Sequence, residues 1–434
     1  MEHCSSKAAR RFALAAACFA LGFCVLFGAL SRLLNDKMSL KYTATFYSDV
    51  AADRSAYDLL FFGSSHIFNG LLPLTLYEQT GIFSYNLGMT NEYPAVTYWR
   101  LRDALNRSDP QVVVIDVYRA LAAEKMPKTE NDLGLLHNSL DGMPLSLLKA
   151  RAVADILDAA PLDFDGVFNY LFPLAQFHSR YDSLTEDDFH PYRLESRGAM
   201  PLRALTSGAP LPQTEEQAPL GSTVGEEYLR RMLSLCEQEG VAAVLLVLPY
   251  QSTAEEMARL RGVAAIAADY PNAAYLNLLD AGVVDPAIDF SDADGHLNTA
   301  GAVRVTRALG SWLSDRYDLP DHRGSEAAAA WEQNVASVRS QHLSTLAGTT
   351  DRNTALMLLR GQDLAFTLRL PADALSDPVT AALVADLDTD SAPAADSEGL
   401  LACASPGAPD IWPDGPGLVV FDPDTGEELA RTAF

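Results

Sequence analysis

Apolar runs alternate with amphipathic stretches along most of this 434-residue chain, and no other sequence feature restricts its fold so strongly. Five of these runs have the length of buried strands, at residues 57–63, 82–87, 111–117, 241–248 and 274–278. Stretches with helical spacing separate them, at residues 91–106, 225–239, 253–269 and 299–317. Buried strands joined by helices form a mostly parallel sheet covered on both faces. The alternation therefore predicts a three-layer α/β unit.

The alternation is interrupted once and then ends. Residues 118–222 lack it, and there we expect an insertion with a helix at 145–159 and a Pro/Gly/Glu-rich loop at 207–222. After residue 319 the composition changes again, which predicts a third region. We therefore divide the chain into a tail, apolar helix and stalk at 1–42, an α/β domain at 43–319 and a C-terminal region at 320–434.

The C-terminal region combines one predicted helix with short strand-like segments. The helix is Ala-rich and covers residues 325–346. We expect strands at 354–359 and 417–421, and the Asp-Pro-Asp-Thr-Gly turn after Phe421 predicts a hairpin with 428–432. Residues 388–416 have loop composition. These features indicate a small β-rich accessory domain.

An uncharged apolar segment at residues 12–31 is long enough to cross about 30 Å of hydrocarbon as a helix. Lys7, Arg10 and Arg11 precede it and favour a cytoplasmic N-terminus, with the rest of the chain outside the cytoplasm. Basic residues also follow the segment and reduce this asymmetry. A cleaved signal peptide is the alternative, because small residues lie at 27–29.

Charge and cysteine content exclude several classes of protein. The formal net charge is −25, and no run of Lys or Arg provides a basic patch, so nucleic acid is not an expected partner. The five cysteines include no C-x-x-C pair, so neither a zinc site nor another metal site is predicted. Cys236 and Cys403 are expected to be unpaired thiols.

Two short segments carry the residue types of nucleophilic catalysis. Gly63, Ser64 and Ser65 follow the first predicted strand directly, at the sheet edge where open α/β proteins bind ligands. Taken alone, a Ser-Ser pair after a strand also fits a helix cap. The second segment, 290–298, contains a histidine preceded by two aspartates and also fits a capped surface turn.

The two segments together predict a catalytic triad. Ser65 requires a base, His296 can take its proton near neutral pH, and a carboxylate can orient the imidazole and stabilise its protonated form. Asp292 and Asp294 are both candidates for that carboxylate, and we favour Asp292. No cofactor is needed for this chemistry.

These segments resemble the SGNH (GDSL-like) hydrolase superfamily. Residues 63–65 are similar to its first block, which carries the nucleophile, and 292–296 is similar to its D-x-x-H block with one extra residue. Residues 85–88 are similar to the second block, whose glycine supplies an oxyanion-hole amide, which implies that role for Gly88. The resemblance covers roughly residues 55–318 and implies a flavodoxin-like three-layer sandwich.

The asparagine of the family's third block is missing, because the strand at 111–117 ends without a G-x-N-D sequence. Asn91 could substitute for it at the oxyanion site, although it also fits a helix cap. In the insertion, Arg180 is a candidate for binding a substrate phosphate or carboxylate, or for a structural contact. We include Asn91 and Arg180 in the predicted substrate site and leave the structural alternative open for each.

The resemblance implies a serine esterase or O-acyltransferase outside the cytoplasm. With these departures from the family pattern, the chain is similar to divergent, membrane-tethered members that handle acyl groups on cell-envelope polymers. We therefore expect an acylated glycan or envelope polymer as substrate and a membrane-bound acyltransferase as partner. Hydrolysis and transfer differ only in the second acceptor, and the sequence leaves both open. A non-catalytic scaffold or polymer-binding protein with the same fold is the alternative.

Overall fold

The computed structural model describes residues 2–35, 37–126, 129–157, 164–189, 194–212 and 214–434. Its helices are α1 (Glu2–Leu34), α2 (Lys37–Ala52), α3 (Ser65–Gly70), α4 (Pro73–Thr80), α5 (Pro94–Arg107), α6 (Glu130–Leu140), α7 (Leu147–Ile156), α8 (Phe164–Leu171), α9 (Pro173–Phe177), α10 (Val224–Glu239), α11 (Ala254–Ala268), α12 (Thr299–Ser314), α13 (Ala328–Ala347), α14 (Arg352–Leu359) and α15 (Pro378–Ala385). Its strands are β1 (Leu59–Phe62), β2 (Ser84–Asn86), β3 (Val112–Asp116), β4 (Ala242–Val247), β5 (Ala273–Asn277), β6 (Ala365–Leu370), β7 (Ala394–Ala395), β8 (Leu401–Ala404), β9 (Gly417–Phe421) and β10 (Glu428–Ala433).

The first five strands form one parallel sheet in the order β2-β1-β3-β4-β5. This confirms the predicted α/β class. Strands β1 to β4 lie within predicted apolar runs, and β5 begins one residue before its run. Strands β1 and β3 are buried along their whole length, as expected for a parallel sheet covered on both faces. The direction of strand succession reverses between β1 and β3, and ligands bind at such a switch point in open α/β sheets.

Local capping fixes where the helices around the sheet begin. Thr253 and Glu256 form a reciprocal capping box at the start of α11. The side chain of Asn298 accepts from the Gly301 amide at 3.0 Å and starts α12. The predicted helices at 91–106, 225–239, 253–269 and 299–317 are confirmed with small shifts of their ends.

The last five strands form an antiparallel sheet in the order β10-β9-β6-β8-β7. The predicted hairpin is confirmed as β9 and β10. The strand predicted at 354–359 is wrong, because the Asp351 side chain accepts from the Thr354 amide at 2.8 Å and caps helix α14 there. The loop predicted at 388–416 is also wrong in part, because β7 and β8 lie within it and extend the sheet from β6.

The chain forms two compact units. Met1–Thr45 and Lys128–Arg193 form the first, and Phe46–Pro127 with Leu194–Phe434 form the second. The second unit contains both sheets, and one apolar cluster includes Ile288 and Ala300 next to the C-terminal strands. Of the helix predicted at 145–159, residues 147–156 are helical in the first unit, and 158–159 lie outside the described residues.

Helix α1 belongs to the first unit and contains a segment, Arg10–Leu34, that is long and apolar enough to cross a membrane by length and composition. None of the residues in its 18-residue apolar window is buried. The predicted stalk is helical from Lys37 onwards, where α2 begins. Phe46, in the C-terminal half of α2, is fully buried in the second unit. Cys236 and Cys403 are buried and unpaired.

Candidate active site

Ser65 is the first residue of α3 and lies just beyond the carboxyl end of β1. Gly63 makes this tight turn with φ of 147°, and a β-carbon at Gly63 would lie 2.6 Å from the β-carbon of Asp116. The hydroxyl of Ser64 accepts from the His66 amide at 3.4 Å and caps α3. Ser64 is therefore the cap, and Ser65 is the next residue, half-buried beside the switch point of the sheet.

The hydroxyl of Ser65 lies 2.7 Å from Nε2 of His296, although 231 positions separate the two residues. The other ring nitrogen, Nδ1, lies 2.8 Å from Oδ2 of Asp292. These are the two contacts that a serine nucleophile, its base and an orienting carboxylate require. The structure thus brings together three residues that the sequence predicted as a triad.

Asp292, and not Asp294, contacts the imidazole. Its Oδ1 also accepts the backbone amides of Asp294 and His296, both at 3.1 Å. Partial burial raises the pKa of Asp292, but the hydrogen bonds from His296 outweigh it and leave the pKa below its ordinary value. The carboxylate is therefore ionised at neutral pH and can stabilise a protonated His296.

Gly295 allows the loop to place His296 there. Its φ is 83°, and a β-carbon at this position would lie 2.3 Å from the backbone nitrogen of Gln251. Any other residue would push the loop away from the segment that follows β4. The spacing of one extra residue before His296 is thus accommodated by a glycine in the left-handed region.

His66 forms a wall of the site. Its ring stacks on that of His296, with centroids 4.6 Å apart and planes inclined by 20°. Tyr118 and Tyr250 contact the same ring at 4.5 and 5.6 Å. Burial, followed by the charges of His296 and Arg119, lowers the pKa of His66 to about 3, so this imidazole is neutral at physiological pH.

Tyr250 is a site residue that sequence reasoning missed. It follows strand β4 by three positions, at the same sheet edge as Ser65. A position just after a buried strand was the sequence signal that could have identified Tyr250 as a site residue. Its ring packs on Tyr118 and His66. Burial raises the pKa of the Tyr250 hydroxyl. Tyr250 therefore contributes a neutral aromatic surface to the site.

Asp116 ends strand β3 and is a buried carboxyl group next to the nucleophile turn. Burial raises the pKa of Asp116 to about 6, against hydrogen bonds from the Tyr118 amide and the Ser64 hydroxyl. The Tyr118 amide donates at 3.0 Å, and the Ser64 hydroxyl at 3.3 Å. Asp116 thus holds the Ser64 turn rather than contacting His296.

The predicted role of Gly88 requires a correction. Its amide donates to the side-chain oxygen of Asn86 at 3.0 Å, so this N–H is already used inside the protein. Asn86 is fully buried, and its own amide group donates to the carbonyls of Ile67 and Leu71, both at 2.9 Å. A buried side-chain oxygen needs a donor, and Gly88 provides it.

Asn91 lies in the loop between β2 and α5 with φ of 52°. It is not the cap of α5, which is Tyr93. Its side-chain oxygen accepts from the guanidinium of Arg119. Arg119 in turn lies over the rings of Tyr93 and Tyr118.

The amide of Ser65 is a candidate donor to an oxyanion. Ser65 is the first residue of α3, and the first amides of a helix have no acceptor within the helix. The Gly88 amide is already used inside the protein, and the oxyanion role of Asn91 stays a prediction.

Arg180 belongs to the first unit. Its guanidinium donates to the carbonyl of Asn35 at 2.5 Å and to Asp188 at 3.1 Å. These contacts fix the side chain within its own unit. They support the structural contact that the sequence left open, and the predicted contact with substrate stays a prediction.

Asp292, Asp294 and His296 lie close enough together to hold a cation, since one ligand atom from each falls within 4.8 Å of the others. However, both ring nitrogens of His296 already face protein partners, Ser65 and Asp292. A metal would have to displace one of them. The observed arrangement is that of a proton acceptor.

Comparison with known proteins gives no family and no relative. No protein-family model matches the chain, and no curated protein matches its sequence. The geometry of the site is therefore the basis on which its chemistry can be argued.

Proposed function

We propose that this protein is a membrane-anchored serine esterase or O-acyltransferase of the SGNH (GDSL-like) type that acts outside the cytoplasm. The observation that carries the proposal is the continuous chain of contacts from Ser65 through His296 to Asp292. The strand order β2-β1-β3-β4-β5 with the nucleophile after β1 supports the fold assignment.

The reaction proceeds in two steps. Nε2 of His296 takes the Ser65 proton as the oxygen attacks an ester carbonyl, and the resulting imidazolium donates that proton to the departing alcohol. Asp292 stabilises the imidazolium. The Ser65 amide is the proposed donor to the oxyanion, and Asn91 is the predicted second donor.

The second acceptor decides between hydrolysis and transfer. Water would release the acyl group as an acid, whereas a sugar or polyol hydroxyl would take it as a new ester. The proposed substrates are acylated glycans or other polymers of the cell envelope, with a membrane-bound acyltransferase as the partner that supplies acyl groups.

A fluorophosphonate probe tests the nucleophile. We expect the full-length protein to be labelled covalently, because the probe reacts with a serine whose proton a neighbouring base can accept. Ser65→Ala should abolish labelling, His296→Ala should reduce it at least about 100-fold, and Ser64→Ala should keep it. Mass spectrometry of the labelled peptide identifies the modified residue.

A folded protein that never labels would support the alternative, a scaffold or polymer-binding protein with the same fold. The use of the Gly88 amide by Asn86 is the observation that favours this alternative. An assay of acetyl or alanyl esters on extracellular polymer, with and without the protein, separates esterase from transferase by the sign of the change.

A further inference from the structure

A cleft of about 400 Å³ lies in the second unit between helices α4, α12 and α13, and no triad residue lines it. Its volume falls within the range of about 300 to 1,000 Å³ that is common for small-molecule sites. We call it the arginine cleft, after the lining residues Arg203, Arg307 and Arg339. One of its lining residues is Thr299, three positions after His296.

Apolar side chains line much of the arginine cleft, beside polar and charged ones. Val303 from α12 lines one side, and Val335, Val338 and Leu343 from α13 line the other. The α13 side chains are half-buried, so they are exposed to whatever fills the cleft. An apolar chain lying between the two helices would cover this surface and gain the free energy of its burial.

The charges at the rim favour an anion. Three arginines face two carboxylates, Glu78 and Asp363, in a chain whose formal net charge is −25. Arg203 donates to the hydroxyl of Thr345 at 2.7 Å.

Arg339 lies 4.0 Å from Asp422, which is the limit of an ion pair. Within the described part of the chain, Arg307 forms no ion pair within that distance. These guanidinium groups can therefore bind an oxyanion without first breaking a close salt bridge.

We propose that the arginine cleft binds an anionic amphiphile, with a single apolar chain between α12 and α13 and a phosphate or carboxylate head held by Arg203, Arg307 and Arg339. This binding goes beyond the proposed function, because it needs neither Ser65 nor His296. It gives the second unit a lipid-like ligand separate from the acyl ester at the triad.

Isothermal titration of the full-length protein tests the proposal, with the protein in nanodiscs of a zwitterionic lipid and empty nanodiscs as the blank. The probes are octyl phosphate, octanoate, octyl glucoside and inorganic phosphate. We expect the two amphiphilic anions to bind, and octyl glucoside and inorganic phosphate to bind at least about tenfold more weakly than the better anion. Tighter binding of octyl phosphate assigns a phosphate head, and tighter binding of octanoate a carboxylate head.

Variants locate the site. Arg307→Gln should weaken binding of the better anion about tenfold or more, and Val338→Trp, which fills the apolar part, should weaken it as well. Arg431→Gln is the matched control, because Arg431 is an exposed arginine paired with Glu428 away from the cleft. Octyl glucoside binding as tightly as the anions would overturn the proposal, and so would unchanged affinity in Arg307→Gln. Fluorophosphonate labelling of the same variants reports on Ser65 separately.

Discussion

His296 interacts with three other residues of the candidate site. Its two ring nitrogens contact Ser65 and Asp292, and its face stacks on His66. Helix α3 carries Ser65 and His66, whereas Asp292 belongs to the same loop as His296. In the proposed reaction, an imidazole held in this way needs no reorientation when it takes the Ser65 proton.

Asp116 is the residue whose protonation should affect stability most clearly. Its pKa is about 6 in the folded protein, above the ordinary aspartate value, because its charged form is buried. For an acid with a raised pKa, the folded state binds the proton more tightly, so stability falls as pH rises through the interval between the two values. Above about pH 6 the full loss is present, and it lowers the free energy of unfolding by about 3 kcal/mol.

Asp116→Asn should therefore stabilise the protein at about pH 8, and the gain should shrink by more than half at about pH 4.5. The asparagine keeps an acceptor for the Tyr118 amide, and the Ser64 hydroxyl can accept from its Nδ2 group. Denaturant titrations at both pH values measure the difference, with the exposed Asp318→Asn as control. An equal gain at both values would contradict the raised pKa.

At the scale of elements, the loop that carries His296 is tied to helix α14 by a buried ion-pair network. The Arg360 guanidinium donates to Asp289 at 2.8 Å and to Asp386 at 2.7 Å. Arg360 and Asp289 are almost completely buried, and Asp289 lies three positions before Asp292. The C-terminal region is thus connected to the base of the loop that carries His296.

Arg360→Ala should lower the free energy of unfolding by about 3 to 5 kcal/mol, because it leaves the buried carboxylate of Asp289 without its closest cation. Arg54→Ala removes an exposed ion pair with Asp109 and should cost no more than about 1 kcal/mol. All four tryptophans lie in the second unit, so their fluorescence during urea denaturation reports on that unit. Adding Asp289→Asn to Arg360→Ala should recover part of the loss, and equal costs for the two arginine variants would argue against this role of the pair.

Elements differ in how well their sequence predicted them, and α14 shows why. Residues 355–359 are all buried, so the segment has neither the polar side of a surface helix nor the alternation of a strand. The deciding signal was the cap at Asp351. Strand β8 was missed because its residues, Leu401–Ala404, have weak strand propensity. Pairing with β6 holds them in the sheet.

At the scale of the whole molecule, the expected arrangement is a single membrane helix with the second unit outside the cytoplasm. Lys7, Arg10 and Arg11 before the apolar segment favour a cytoplasmic N-terminus. Protease added to intact cells should therefore degrade the second unit, and protease added to inverted vesicles should leave it intact.

An N-terminal tag provides the control for this experiment. The tag should stay with the membrane fraction after alkaline extraction and be cleaved only in inverted vesicles. Loss of the tag from the mature chain would instead indicate a cleaved signal peptide. Protection of the second unit in intact cells would reverse the proposed orientation.

The sequence by itself predicted the strands of the parallel sheet, most of the helices around it, the apolar N-terminal segment and the grouping of Ser65 and His296 with Asp292 or Asp294, because periodicity, caps and turn residues act over a few positions. Only the tertiary structure decided that Asp292 contacts the imidazole, that Tyr250 and His66 enclose it, and that the Gly88 amide is taken by Asn86. The ring contacts of His66 and Tyr250 join residues from separate elements, whereas the contacts of Asp292 and Gly88 are local and depend on how their loops fold. Whether a buried amide faces a ligand or another side chain depends on which neighbour needs a donor, and packing alone decides that.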